Sequence, residues 1–218
     1  MSDQTATTEP TTAGVSRRTF LVGSGMAGAA VLVAACGGND KKSTATTKGD
    51  TATTAGGGAG DLTVAKVAAG LEVLAVGTYK AALDAATAGK LGTVPPAVAS
   101  YVKLAMNQHQ AHLEAWNKVL TTANQPAVSA PDAKLKPVVD AQFAQVKDAG
   151  GAAKLALMLE DIAAQTYLKA IPTLTDKAAI KLAGSIQIID QQHQAILLYA
   201  LGQYPVPEVF QKTDKAAF

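Results

Sequence analysis

Cysteine is nearly absent: Cys36 stands alone in 218 residues. No disulfide can close within the chain, and no thiolate pair is available for a tetracysteine metal centre. Aromatic residues make up 5% of the chain, and β-branched alternation is rare, so the pattern of a half-buried sheet is missing. The net charge is +2 with no basic stripe, which removes the electrostatic footprint of a nucleic-acid binder. No apolar run reaches the roughly 20 residues of a membrane-spanning helix. No nucleophile–base arrangement for hydrolysis is visible, and no residue is marked as catalytic. What remains is alanine-rich and 48% hydrophobic, which suits one helical domain with tails.

The N-terminus reads as a sorting segment, residues 1–36, and stays outside the fold. Ser16-Arg17-Arg18-Thr19-Phe20-Leu21 resembles a twin-arginine export motif. The apolar run Leu21 to Ala35 ends in Val33-Ala34-Ala35-Cys36, which resembles a lipobox, with Cys36 as the lipidated residue. The expected partners are the twin-arginine export machinery and, through the lipid anchor, the membrane. The expected location is extracytoplasmic. Residues 37–60 carry no large apolar side chain and read as a Gly/Thr-rich flexible tether.

Residues 61–218 form the expected folded domain. Asp61 is the expected N-cap of a first helix running to about Lys90, where Gly89 and Gly92 end it. Pro95-Pro96 open a second helix to about Thr122, with Tyr101, Leu104, Ala105, Trp116 and Leu120 inward. Pro126 to Gly151 is a longer connection with a short amphipathic helix near Pro137–Val146. A third helix runs from about Ala152 to Ile171. Thr175 is the expected cap of the fourth, Asp176 to about Leu201, with Ile186, Ile189, Ile196, Leu197 and Ala200 as its apolar stripe. Val209 and Phe210 of the tail are expected to pack back on the helices. Two hairpins joined by a long crossover describe an all-α four-helix bundle.

All three histidines fall in X-x-x-His pairs inside predicted helices: His109-x-x-His112 and Asp190-x-x-His193. Residues three apart share a helix face. A carboxylate and an imidazole facing a core are costly to desolvate unless something pairs them, and a metal ion is one such partner.

The sequence also repeats. Leu71-Glu72-Val73-Leu74-Ala75-Val76-Gly77-Thr78-Tyr79 aligns with Leu159-Glu160-Asp161-Ile162-Ala163-Ala164-Gln165-Thr166-Tyr167, with an offset of 88 residues for both glutamate and tyrosine (160 − 72, 167 − 79). The X-x-x-His pairs align at an offset of 81 (190 − 109, 193 − 112). Two copies of one hairpin would bring Glu72, His109, His112, Glu160, Asp190 and His193 together in mid-bundle, which is the arrangement of a dinuclear carboxylate site. Tyr79 and Tyr167 share faces with the glutamates, and their hydroxyls could bond the opposing ligands. Glu114 and Asp161 are expected outward, Trp116 and Met106 in the core, and Gln108 is left open between site and surface.

With Glu-x6-Tyr twice and X-x-x-His twice, in that order, the domain resembles the ferritin-like superfamily. More narrowly, it resembles exported bacterial ferritin-like domain proteins with twin-arginine or lipoprotein signals. The resemblance implies a bundle that binds iron or manganese, with Glu72, His112, Glu160 and His193 at ligand positions and Asp190 where the family has Glu. His109 departs from the pattern, because a bridging Glu normally stands there. Three carboxylates and three imidazoles leave two divalent ions short of balance, so the expectation is one or two ions, held unequally. The added imidazole favours zinc, copper or iron over magnesium and calcium. The cofactor is therefore expected to be a transition metal, iron first, with manganese or zinc as alternatives. Oxidase or peroxide-consuming activity is one reading, and a metal-free structural or stress-protective bundle is the other. The anchor and tether argue against a closed ferritin cage, and the lone cysteine leaves no rubredoxin-type relay.

Overall fold

A computed structural model describes residues 58–218. The export motif at Arg17-Arg18, the lipidation site Cys36 and nearly all of the tether lie outside the described residues. Four long helices and one short one follow: α1 (Ala59–Thr87), α2 (Pro96–Thr122), α3 (Leu135–Phe143), α4 (Ala149–Ala170) and α5 (Lys177–Ala200), with a 3-10 turn at Ile171–Thr173 before α5. No strand occurs among the described residues. No helix among them is long and apolar enough to cross a membrane.

Local chemistry sets the helix ends. Gly89, at φ 71, closes α1, with Lys90 N–H bonding Ala85 O and Gly89 N–H bonding Ala86 O. This is the left-handed stop for which glycine is suited. Asn124, at φ 56, closes α2 in the same way, asparagine being a residue that tolerates this region. Pro96 stands at the start of α2, where its missing N–H costs nothing. Asp148 caps α4 by accepting from Gly151 N–H at 2.7 Å.

Two capping expectations need correction. α1 begins at Ala59 after Gly58, so Asp61 lies within its first turn. Its buried carboxylate reaches across to α5, accepting from the N–H of Thr175 and of Asp176 and from the Thr175 hydroxyl. The N-cap of α5 is Asp176, not Thr175, and it accepts from Ala179 N–H at 2.8 Å. Asp61 therefore ties the start of one hairpin to the start of the last helix.

α1 packs on α2 and α4 on α5, and the two hairpins meet along α1–α4 and α2–α5. The crossover returns along the bundle: Asp132 N–H bonds Gly70 O at 3.0 Å, and Val139 of α3 packs against Leu74, Leu155 and Leu159. A Cβ on Gly70 would stand 3.4 Å from Asp132 N, so the crossover's close approach uses the bare glycine. Apolar layers fill both halves of the core. One gathers Val64, Ala68, Trp116, Leu120, Ala183 and Ile186, and the other gathers Tyr79, Ala105, Ala156 and Leu197. The polar cluster lies between them.

The tail docks differently from expectation. Val209 and Phe210 are 88% and 84% exposed. The last residues bind instead, with Lys215 N–H on Gln165 Oε1, Ala217 N–H on Thr166 Oγ1 and the Lys215 ammonium on Asp161. Asp161 is thus mostly covered, with 21% of its side chain exposed, rather than free in solvent.

Candidate metal centre

Helical periodicity delivers the site residues inward. On α5 the buried positions are Ala179, Ala183, Ile186, Asp190, His193 and Leu197, a spacing of three and four that keeps one face. This stripe corrects the expected one: Ile196 is 47% exposed and Ala200 is exposed as well. On α2 the buried positions are Ala105, His109, Trp116 and Leu120, while Leu104 points outward at 55% exposure. Glu72 and Glu160 occupy equivalent buried places on α1 and α4.

His109 stands at the centre. Its Nδ1 lies 2.7 Å from Glu72 Oε2 and its Nε2 3.0 Å from Glu160 Oε1. One imidazole thus spans the two glutamates. The tyrosines cross-link the halves, with Tyr79 donating to Glu160 Oε1 and Tyr167 donating to Glu72 Oε1, both at 2.5 Å. Trp116, fully buried, extends this chain by donating its indole N–H to Tyr167 Oη at 2.9 Å. It is a core residue that also supports the site. His193 sets its Nδ1 3.2 Å from Glu160 Oε2 and its Nε2 2.7 Å from Gln108 Oε1. Both facing oxygens accept, so the Gln108 amide and the Glu160 carboxylate each call for a proton on the nitrogen they face. His112 Nδ1 is 3.7 Å from Glu72 Oε1.

Charge follows this geometry. Burial pushes the Glu72 carboxyl up, but the charge and hydrogen bond of His109 outweigh it and hold the group down at about 2. Burial acts likewise on Glu160, and His109 again brings it down to about 2. Burial would lower His109, yet Glu160 and Glu72 raise it well above its ordinary 6.5. Burial first, then the charges of Glu72 and Glu160, raise Asp190 well above its ordinary 3.8. Without a metal, these shifts favour the imidazolium at His109, which can donate to both carboxylates, and disfavour charge on Asp190. Burial and the nearby carboxylates also raise Tyr79 and Tyr167, which stay hydroxyl donors.

That arrangement leaves specific atoms unserved. Both oxygens of Asp190, a residue with 0% exposure, and Nδ1 of His112 find no hydrogen-bond partner on the protein. Buried polar atoms are normally paired, and leaving them unpaired costs about 1–3 kcal/mol each. The same residues belong to two groups, each residue offering one ligand atom within 4.8 Å of the others: His109, Glu160, Asp190 and His193, and Glu72, His109 and His112. Carboxylate and imidazole donors of this kind suit a first-row transition metal. The donor set and the orphaned atoms fit a bound cation.

The structure brings together all six residues expected in the cluster, with Tyr79 and Tyr167 bonded to it. It adds Gln108, whose position beside His109 in sequence carries no signal, since only the packing of α2 on α5 turns its amide toward His193. It also adds Gln194, which donates to the Glu160 carbonyl at 3.1 Å. Glu114 lies on the exposed face, bonded to Gln110.

No curated protein sequence and no solved structure matches the chain. A family model described as a ferritin-like domain matches residues 60–203, the span from the first turn of α1 to just beyond α5. With the all-helical bundle and the buried carboxylate–histidine cluster in agreement with it, the chain belongs to the ferritin-like domain family.

Proposed function

We propose that the protein binds a transition metal, iron first, in the mid-bundle cluster, and works tethered to the outer side of a membrane. The observation that carries the metal reading is Asp190: a carboxyl with no exposure and no partner on either oxygen, set among Glu160, His193 and His109. A cation supplies the missing partner and brings Asp190 to its ionised form. Glu160, Asp190 and His193 would hold one ion, and Glu72 and His112 a second, weaker one. His109 offers one lone pair to either, because a neutral imidazole has only one. A bound iron or manganese supplies a redox centre for reducing oxygen or peroxide.

The chain's own residues do the rest. Tyr79 and Tyr167 fix the glutamate oxygens they bond. With Nδ1 given to the ion, His193 would donate its Nε2–H to Gln108 Oε1. His109 must release a proton before either nitrogen can act as a ligand, so uptake liberates protons and weakens as pH falls. The apolar layer around Trp116 keeps bulk water from the cluster at that end of the core.

A metal-free bundle has one observation in its favour: the His109 imidazolium already neutralises one of the two glutamate charges. It leaves Asp190 unexplained. Elemental analysis of protein purified from its native host separates the two. One or two iron, manganese or zinc ions per chain, lost from Asp190→Asn, support the proposal. Metal-free protein of full stability overturns it. The extracytoplasmic location rests on Arg17-Arg18 and the small residues before Cys36.

A further inference from the structure

Beyond the polar cluster, toward the end of the bundle where α1 and α5 finish and α2 and α4 begin, lies a cavity of about 370 Å³. Alanines hold it open: Ala82 and Ala86 of α1, Ala97 of α2, and Ala152, Ala153 and Ala156 of α4. None of its lining side chains is charged. The few polar groups in its wall are already engaged. The Thr78 hydroxyl bonds Leu74 O, the Tyr79 hydroxyl bonds Glu160, and the Tyr101 hydroxyl reaches His193 O at 3.4 Å. Exposed Ile196 and Tyr199 line its solvent side.

The repeat shows why this space exists. At the offset of 81 that aligns His112 with His193, Trp116 aligns with Leu197 (197 − 116). At the opposite end of the core Trp116 is fully buried, stacked on Tyr167 at 6.1 Å and 11°. The equivalent tyrosine here is Tyr79, and the side chain packed with it is Leu197. One half of the duplicated fold fills its end with an indole. The other uses a smaller side chain and alanines, and stays open.

We propose that this cavity is a binding site for a neutral, apolar small molecule, such as a medium-chain alkanol. Its volume falls within the roughly 300–1,000 Å³ of small-molecule pockets, which are mostly apolar with few polar groups. An ionised head group would be desolvated there without a partner, so the ligand is uncharged. Its wall includes the buried Tyr79, whose hydroxyl holds Glu160, which places the ligand one side chain from the carboxylate cluster.

The test uses the purified full chain stripped of metal, so that its outcome is independent of the metal reading. N-phenylnaphthylamine, a neutral fluorophore, is titrated into wild type, Leu197→Trp and Ala86→Phe. Saturable binding of one probe per chain is expected, with affinity falling by at least about tenfold in each variant that keeps the wild-type melting temperature. Decanol should displace the probe, and decanoate should do so at least about tenfold less well. A neutral diazirine-bearing alkanol photolysed with wild type gives a readout that needs no variant: its label should fall on Phe143 or within residues 78–102, 149–159 or 196–200. Non-saturable binding, equal affinity in well-folded variants, equal competition by decanoate, or labelling elsewhere would overturn the proposal.

Discussion

Replacing His109 by leucine isolates what the central imidazole does in the metal-free protein. The change removes the partner that lies 2.7 Å from Glu72 and 3.0 Å from Glu160, in a region where all three side chains are at most 2% exposed. Truncating one member of a buried ion pair typically costs about 3–5 kcal/mol, because the remaining charge stays buried without compensation. That is a large part of the roughly 5–15 kcal/mol that holds a domain together. At about 2–4 °C per kcal/mol for a chain of this size, the melting temperature should fall by about 6–20 °C in chelator. The pH profile carries the same information. His109 is raised above its ordinary 6.5, so its contribution is complete below that pH and is lost as pH rises through its higher folded value. The glutamates are held at about 2 against an ordinary 4.5, so theirs is present above about 4.5 and fades as pH falls toward 2. Wild-type protein should therefore lose stability on the alkaline side, and His109→Leu should show a flatter alkaline limb. Urea denaturation in EDTA across this range measures both effects. A variant within about 0.5 kcal/mol of wild type at neutral pH would refute the view that His109 compensates the two glutamates.

Asp190→Asn replaces a neutral acid by a neutral amide of similar shape, so metal-free stability should change by less than about 1 kcal/mol, while calorimetric titration should show at least about tenfold weaker binding of the first metal ion; unchanged affinity would remove Asp190 from the ligand set. Tyr167→Phe strands the Trp116 indole N–H and strips a donor from Glu72, and thermal melts should show a loss of about 1–3 kcal/mol. Asp61→Ala leaves the Thr175 and Asp176 amides without their acceptor. A loss of about 1.5–3 kcal/mol is expected in urea, and proteolysis should find the turn before α5 newly open. Cys36→Ser should release the protein from membranes or leave its precursor unprocessed, as fractionation would show, and normal processing with full membrane retention would count against lipidation.

The bundle was legible because its helices obey simple rules. Pro96 and Gly89 mark ends by backbone chemistry, and buried positions recur at three- and four-residue spacing. The cluster was legible because a duplicated pattern repeats six polar residues where single apolar ones would serve. What could not be read depends on rotation by a fraction of a turn, or on contacts distant in sequence. Leu104 and Ile196 are apolar but lie one step off the buried face, and composition does not distinguish a stripe's edge from its centre. Asp61 looks like an N-cap because acidic residues at helix starts usually are. Its true partners lie 114 and 115 residues away, beyond any local signal. The role of Trp116 hides for the same reason: only assembly of the whole bundle brings its N–H, on α2, across the core to Tyr167 on α4.

The two halves of the domain agree in their framework and differ in their chemistry. Each supplies a glutamate and a tyrosine, and each tyrosine bonds the other half's glutamate at the same 2.5 Å. These crossed bonds make the hairpins interdependent, since each glutamate is bonded both by a histidine of its own half and by the tyrosine of the other. The differences fall at two pairs of positions. At the centre, His109 faces its counterpart Asp190, so the cluster has a cation donor on one side and an acid on the other. The Glu160 group then holds two carboxylates, while the Glu72 group holds one. A symmetric set would bind two ions alike, whereas this one would rank them under the proposed metal reading, because attraction for a divalent ion grows with the number of carboxylates around it. At the ends, Trp116 closes one core layer and Leu197 leaves its counterpart open. The open end adjoins Tyr79, the tyrosine that holds Glu160. The group with two carboxyl side chains is therefore also the one approached from an apolar cavity, and under the proposed metal reading the sealed end would hold the weaker ion.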